Sequence, residues 1–197
     1  MHTGLRRLAA VLLGGGLLPW VAPAAQAAPQ VYDLDPAHSF VTFELLHFGT
    51  STIRGRFGPL EGQVTLDRAQ PAGEVRLTVP VATLDTGWKV FDHRILGPEL
   101  LAADAFPAAY FIATRFRFDP AGGVAEVRGE FTLRGHGEPL SLVAERFSCR
   151  QGARLQREVC GGDFTGRLQR SDFGLTFGLP FVGNEVTLKV QVEGIAR

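Results

Sequence analysis

Residues 38–66, HSFVTFELLHFGTSTIRGRFGPLEGQVTL, constrain the fold more than any other stretch of the chain. Ser39, Val41, Phe43, Leu45 and His47 fall on one face of an extended backbone, and Phe40, Thr42, Glu44 and Leu46 on the other. A period of two marks a strand with one face covered. Phe48-Gly49-Thr50-Ser51 interrupts it with turn residues. Ile53, Gly55 and Phe57 then share a face opposite Arg54 and Arg56. Beyond Gly58-Pro59 the parity changes, and Leu60, Gly62, Val64 and Leu66 become the inward set. Such a change at a Gly-Pro step is what a bulge or sharp bend produces. Glycines among inward positions suit a sheet that coils toward closure. The stretch is therefore predicted to form the first wall of a barrel.

The same alternation returns along the chain. A lead-in strand is predicted over Val31–Leu34, ended by Asp35-Pro36. A third long strand covers 75–81, where Pro80 signals an edge or a bulge. Further strands follow over 109–118, 126–134, 140–149, 163–170 and 185–193. Between the third and fourth, residues 88–103 lose the alternation. There Val90, Phe91, Ile95, Leu100 and Leu101 share a helical face, and Pro98 suits the first turn of a second short helix. The fourth strand has apolar residues on both faces, Tyr110, Ile112 and Phe116 against Phe111 and Ala113, so its inner face stays open. A strand covered on both sides by the helical insertion would look this way. Regular antiparallel strands leave a sandwich or an up-and-down barrel. Inward glycines at 55, 62, 129 and 166 favour the barrel. The expected fold is all-β, an extended eight-stranded antiparallel barrel with a short helical insertion between strands three and four. A barrel of that size is wide enough for one slender ligand.

The N-terminus carries an address. Arg6 and Arg7 precede the apolar run Leu8–Leu18, and Ala25-Gln26-Ala27 supplies small residues before a cut. Residues 1–27 are read as a secretory signal peptide, leaving 28–197 as a single domain outside the cytoplasm. Twenty basic residues balance twenty acids, and two of the basic ones lie in this leader. The remainder is weakly acidic, with no basic excess to attract nucleic acid. Cys149 and Cys160 are the two cysteines. In an exported chain such a pair is most simply a disulfide, contributing about 3 kcal/mol in the chain-entropy account.

Aromatic usage points to the interior. All 15 Phe follow Ala28, against two Tyr and two Trp in the whole chain. Buried Tyr and Trp need hydrogen-bond partners and Phe does not. The interior is thus either a dry core or the lining of a lipid site.

Motifs for chemistry are missing. His38 and His47, nine residues apart on one strand, would face opposite ways. His93 lies in the insertion and His136 in a Gly-rich turn, and no HExxH or CxxC accompanies them. Ser39 and His38 are strand neighbours that point apart, and no GxSxG elbow exists. Asp92 and Glu99 read as solvated charges on a surface helix. A non-enzymatic binding domain without metal or cofactor is the expectation. A small enzyme on a barrel scaffold, with His38 or His47 in its site, is the competitor, and an interaction protein with a filled core is another.

The run HSFVTFELLHFGTSTIRGRFGPLEGQVTLD resembles the opening of YceI-like proteins, with its HS-x-V-x-F start and G-x-F…G block. DHRILGPELLAADAFP (Asp92–Pro107) followed by Phe111, RSDFG (Arg170–Gly174) and the closing NEVTLKVQVE match in order and spacing. The likeness runs from about Tyr32 to Ile195. It implies a lipocalin-like barrel in the bacterial periplasm that holds a polyisoprenoid or related amphiphile. Association of some relatives with cytochrome b561-type membrane proteins implies an isoprenoid quinone as ligand and such a protein as partner; a homodimer stays open. The insertion departs from the pattern. Leu100, Leu101 and Ala102 stand where relatives often carry two Phe and an acid, and Phe91 where an Arg is common. With a lipid expected, the inward residues Val41, Phe43, Leu45, Phe57, Val79, Phe131, Leu133, Phe164, Phe173 and Val190 are the lining candidates. Arg170, with Asp172, is the candidate for the polar end, because it breaks the alternation just before a loop rich in Phe and Gly.

Overall fold

The computed structural model describes residues 28–197; the signal-peptide expectation falls on residues outside these. The strands are β1 (Gln30–Leu34), β2 (Phe40–His47), β3 (Ser51–Phe57), β4 (Glu61–Asp67) and β5 (Ala72–Pro80). A helix, α1 (Lys89–Leu96), follows, then β6 (Ala108–Phe118), β7 (Val124–Leu133), β8 (His136–Gln151), β9 (Glu158–Gln169) and β10 (Glu185–Ala196). All form one antiparallel sheet in the order β1-β4-β5-β6-β7-β8-β9-β10-β2-β3, and β1 also pairs with β10, which closes it.

Ten strands make eight staves, because two staves are broken. β1 and β2 lie along β10, β1 against Gly194–Ala196 and β2 against Thr187–Gln191. β3 and β4 are the second broken stave, bent at Gly58-Pro59, where the sequence changes parity. β4 pairs with β1 and β5, whereas β3 pairs with β2 alone. At the β3 level the sheet therefore has a gap in its wall. The segment between β5 and β6 fills it. Arg56 and Asp85 exchange two backbone hydrogen bonds of 2.9 Å, and the Gly58 N–H donates to Thr83 Oγ1 at 3.0 Å.

Gly62 shows why the bend needs glycine. Its φ is +137°, and a Cβ there would sit 2.0 Å from the Arg76 carbonyl oxygen. No other residue tolerates both conditions.

Two sequence expectations change. No second helix follows Pro98; the chain from Gly97 to Ala105 runs through turns tied by the Gly97, Ala102 and Leu96 carbonyls. The two-faced apolar pattern of β6 comes from a register shift between Ala113 and Arg115, not from a cover on both sides. Above the shift Ala109, Phe111 and Ala113 point inward and are buried, while Tyr110 and Ile112 are exposed. Below it the parity has moved by one, so Phe116 and Phe118 turn into the core. An extra residue on one strand does this.

The β8–β9 hairpin carries the disulfide, with Cys149 directly opposite Cys160. At that end the barrel is packed with side chains around a small void of about 70 Å³. Leu66, Val75, Val124, Val127, Phe164 and Val190 belong to a continuous buried cluster.

Candidate functional site

The other end is hollow. A cavity of about 480 Å³ lies inside the staves, walled by inward residues of the sheet and closed over by the insertion and the loop 174–183. Its strand-borne lining follows from the alternation. Val41, Phe43, Leu45 and His47 come from β2, and their partners Phe57 and Ile53 come from β3. Across from Phe43 the register places Gly55, where a Cβ would meet the Phe43 ring at 2.5 Å, so this glycine makes room for the ring. Val79, Phe131, Leu133 and Val190 complete the set from β5, β7 and β10. Several of these are only half-buried although they point inward, because the space they face is not filled by protein.

All the candidates read from sequence border this cavity except Phe164, Phe173 and Asp172. Phe164 is on β9 four residues before Leu168, which does reach the cavity. At strand rise that is roughly 13 Å deeper, and Phe164 faces the smaller void of about 70 Å³ in the packed half. Phe173 lies beyond the end of β9, in a short 3₁₀ turn (Arg170–Phe173). It is 1% exposed and packs edge-on behind Phe131 at 5.6 Å, within a satellite cluster with Val81, Leu84, Leu101 and Leu175. It buttresses the wall instead of forming it.

Arg170 borders the cavity but its guanidinium is already engaged. It is 4% exposed. Nε donates to the Gly183 carbonyl at 2.8 Å, Nη1 to Phe177 at 2.9 Å and to Leu175, and Nη2 to Val182 at 2.9 Å. A planar fork with five donors suits this spread of acceptors. Among the described residues no carboxylate pairs with it, and burial lowers its pKa from the ordinary value. Arg170 is the hub around which the loop 174–183 is wound. Asp172 does not border the cavity.

That loop and α1 supply lining that strand periodicity does not mark. Phe91, Arg94 and Ile95 come from α1, and Leu175, Phe177 and Phe181 from the loop. The Arg94 guanidinium sits over the Phe177 ring at 4.7 Å, linking the two, and also pairs with Glu99. Cation–π contact at an exposed site contributes about 0.5–1 kcal/mol. Phe48, Phe177 and Phe181 border the cavity and are also exposed to solvent, so they mark its mouth, where Phe48 and Phe181 stack at 5.6 Å. The Phe-Gly composition of 174–183 was the signal available for this loop.

Asp92 departs from the expectation of a solvated charge. It is buried, accepting from the Thr86 N–H at 2.8 Å, Thr86 Oγ1 at 2.7 Å and Lys89 Nζ at 3.1 Å. The Thr86 hydroxyl leads the interactions that hold its pKa below the ordinary carboxylate value. It fixes the approach to α1. Glu99, in contrast, is exposed against Arg94. His38 is exposed and paired with Asp35 at 2.7 Å, with Glu193 nearby. Among the described histidines, His47 alone borders the cavity. The polar side chains facing the cavity are thus His47, Arg94 and Arg170, and the rest of the lining is apolar.

The overall fold has known counterparts. The model of the YceI-like domain matches residues 32–194. The chain belongs to the YceI-like domain family. A UPF0312 protein of Enterobacter sp. (strain 638) is 30% identical over 194 residues, covering 98% of each chain. Among solved structures, BcnA of Burkholderia cenocepacia superposes with a TM-score of 0.66 at 24% identity, covering 82% of this chain and 99% of that one. A polyisoprenoid binding domain from Saccharophagus degradans, implicated in plant cell wall breakdown, gives 0.60 at 19% identity, with 84% and 98% covered. At these identities the superpositions establish the fold.

Proposed function

We propose that this YceI-like chain is a non-enzymatic periplasmic binding protein that holds the chain of an amphiphilic lipid, an isoprenoid or isoprenoid quinone, inside its barrel. The observation that carries the proposal is the cavity of about 480 Å³ whose only polar side chains, among the described residues, are His47, Arg94 and Arg170. Such a lining rejects a polar substrate and accepts a hydrocarbon, because each buried Å² of apolar surface contributes roughly 25 cal/mol. The polyisoprenoid binding of the Saccharophagus degradans domain, which shares the fold, supports the same class of ligand. In this reading the tail lies between Phe43, Phe57, Phe131 and Val190. The polar end stays at the mouth near His47 and Arg94, since Arg170 is committed to the loop carbonyls.

The catalytic competitor finds little support. His38 is an exposed ion pair away from the cavity, and His47 borders it with only apolar side chains and arginines for company. A cytochrome b561-type membrane partner belongs to the quinone version of the proposal and is tested by co-purification from solubilised membranes.

The deciding experiment is native mass spectrometry of protein exported and purified without detergent, followed by organic extraction. A co-purifying prenyl lipid that is lost in Phe131→Glu and Phe43→Glu variants with wild-type circular dichroism is the expected result. Wild-type protein that carries no lipid and takes up none from added prenyl alcohols or quinones would overturn the proposal.

A further inference from the structure

The large cavity and the smaller void beneath it share four residues of their lining, Leu77, Phe111, Leu142 and Val190. These come from β5, β6, β8 and β10, so they reach inward from around the barrel at one level. Leu77 and Phe111 are direct cross-strand partners, and all four are buried, Phe111 at 3% exposure. Together they form a floor. Below it lies the void of about 70 Å³, walled by Val75, Val124, Val127 and Phe164 of the buried cluster.

We infer that this floor makes the barrel a ruler for its ligand, with Phe111 as the residue that sets the longest chain taken up in full. The inference rests on the lipid reading above and adds a size class to it. A methylene group is close in size to a water molecule, whose share of liquid volume is about 30 Å³. The cavity of about 480 Å³ then holds roughly fifteen carbons, or about three isoprene units. Longer chains meet the Phe111 ring and leave their excess at the mouth, in water. Up to the floor, each added methylene tightens binding by about four-fold, and beyond it by nothing.

Phe111→Ala opens the floor. The six ring carbons it removes and the void below make room for between roughly one and two further isoprene units. The experiment measures the affinity of detergent-free protein for prenyl alcohols of two to six isoprene units, by displacement of a fluorescent fatty acid. Wild type is expected to gain affinity to about three units and then level off. Phe111→Ala is expected to bind the four-unit alcohol at least about ten-fold better than wild type does. Phe164→Ala, which enlarges only the lower void, is expected to level off where wild type does. Should Phe111→Ala not fold, Leu77→Ala and Val190→Ala thin the same floor and are expected to move the limit by a smaller step. Wild type whose affinity climbs steadily through six units, or floor variants that level off with wild type, would overturn the ruler while leaving the lipid site standing. Wild type that binds no prenyl alcohol of any length would overturn the lipid site itself.

Discussion

Replacing Arg170 by methionine keeps much of the apolar stem of the side chain and removes its donors. Four backbone carbonyls then lose their partner, those of Leu175, Phe177, Val182 and Gly183. A hydrogen bond to a charged donor contributes about 1.5–3 kcal/mol, and an orphaned acceptor costs about 1–3 kcal/mol. Relief of the guanidinium's own burial offsets part of this, as does water reaching carbonyls near the mouth. The expected net loss is about 4 kcal/mol, a large fraction of the stability of an ordinary domain. Arg170→Lys is expected to recover little, since a point charge cannot span four acceptors in the guanidinium plane. The assay is urea unfolding of lipid-free protein followed by far-ultraviolet circular dichroism, with m compared between variants. Because the loop lines the cavity, prenyl-lipid retention should fall in parallel. A methionine variant within about 1 kcal/mol of wild type would refute the view that Arg170 is the hub of the loop. If that variant also lost lipid, Arg170 would return to the list of head-group contacts.

Further outcomes are expected elsewhere in the barrel. Gly62→Ala should destabilise by about 3 kcal/mol or fail to fold, since it combines a left-handed φ with a Cβ placed against the Arg76 carbonyl; a melting temperature equal to wild type would contradict this. Glu126, held by Arg128 first, then Ser141 and Arg117, has its pKa lowered from 4.5 to about 2. Its stabilising contribution is therefore complete above pH 4.5 and is lost as the pH falls toward 2, so Glu126→Gln should flatten that limb of an acid-unfolding curve. An unchanged limb would point to other carboxylates. Changing Cys149 and Cys160 together to serine should cost about 3 kcal/mol, matched by reducing the wild type; equal stability of oxidised and reduced protein would count against it.

The staves were legible from sequence because period two survives wherever one face is covered. That is how Val41, Phe43, Leu45, Phe57, Val79, Phe131, Leu133 and Val190 were placed inward. Inwardness alone does not say at which height each residue sits, so the pattern places Phe164 with residues that border the hollow half. Phe173 was grouped with them because the end of β9 and its 3₁₀ turn leave no periodic trace. The register shift in β6 hid the inner face of that strand, since one extra residue exchanges the two faces midway. Asp92 was misjudged for a different reason. Its partners, Thr86 and Lys89, are local, but whether a carboxylate on a short helix points to solvent or back under the chain is decided by packing.

The stretch from Val81 to Pro107 is joined to β3 and Gly58 by a pair of main-chain hydrogen bonds and one threonine hydroxyl, whereas neighbouring staves elsewhere are joined by strand ladders. One contiguous peptide can therefore be exchanged without disturbing the pairing of any strand. Under the proposed function, preference for a different lipid can be grafted onto this scaffold as a cassette.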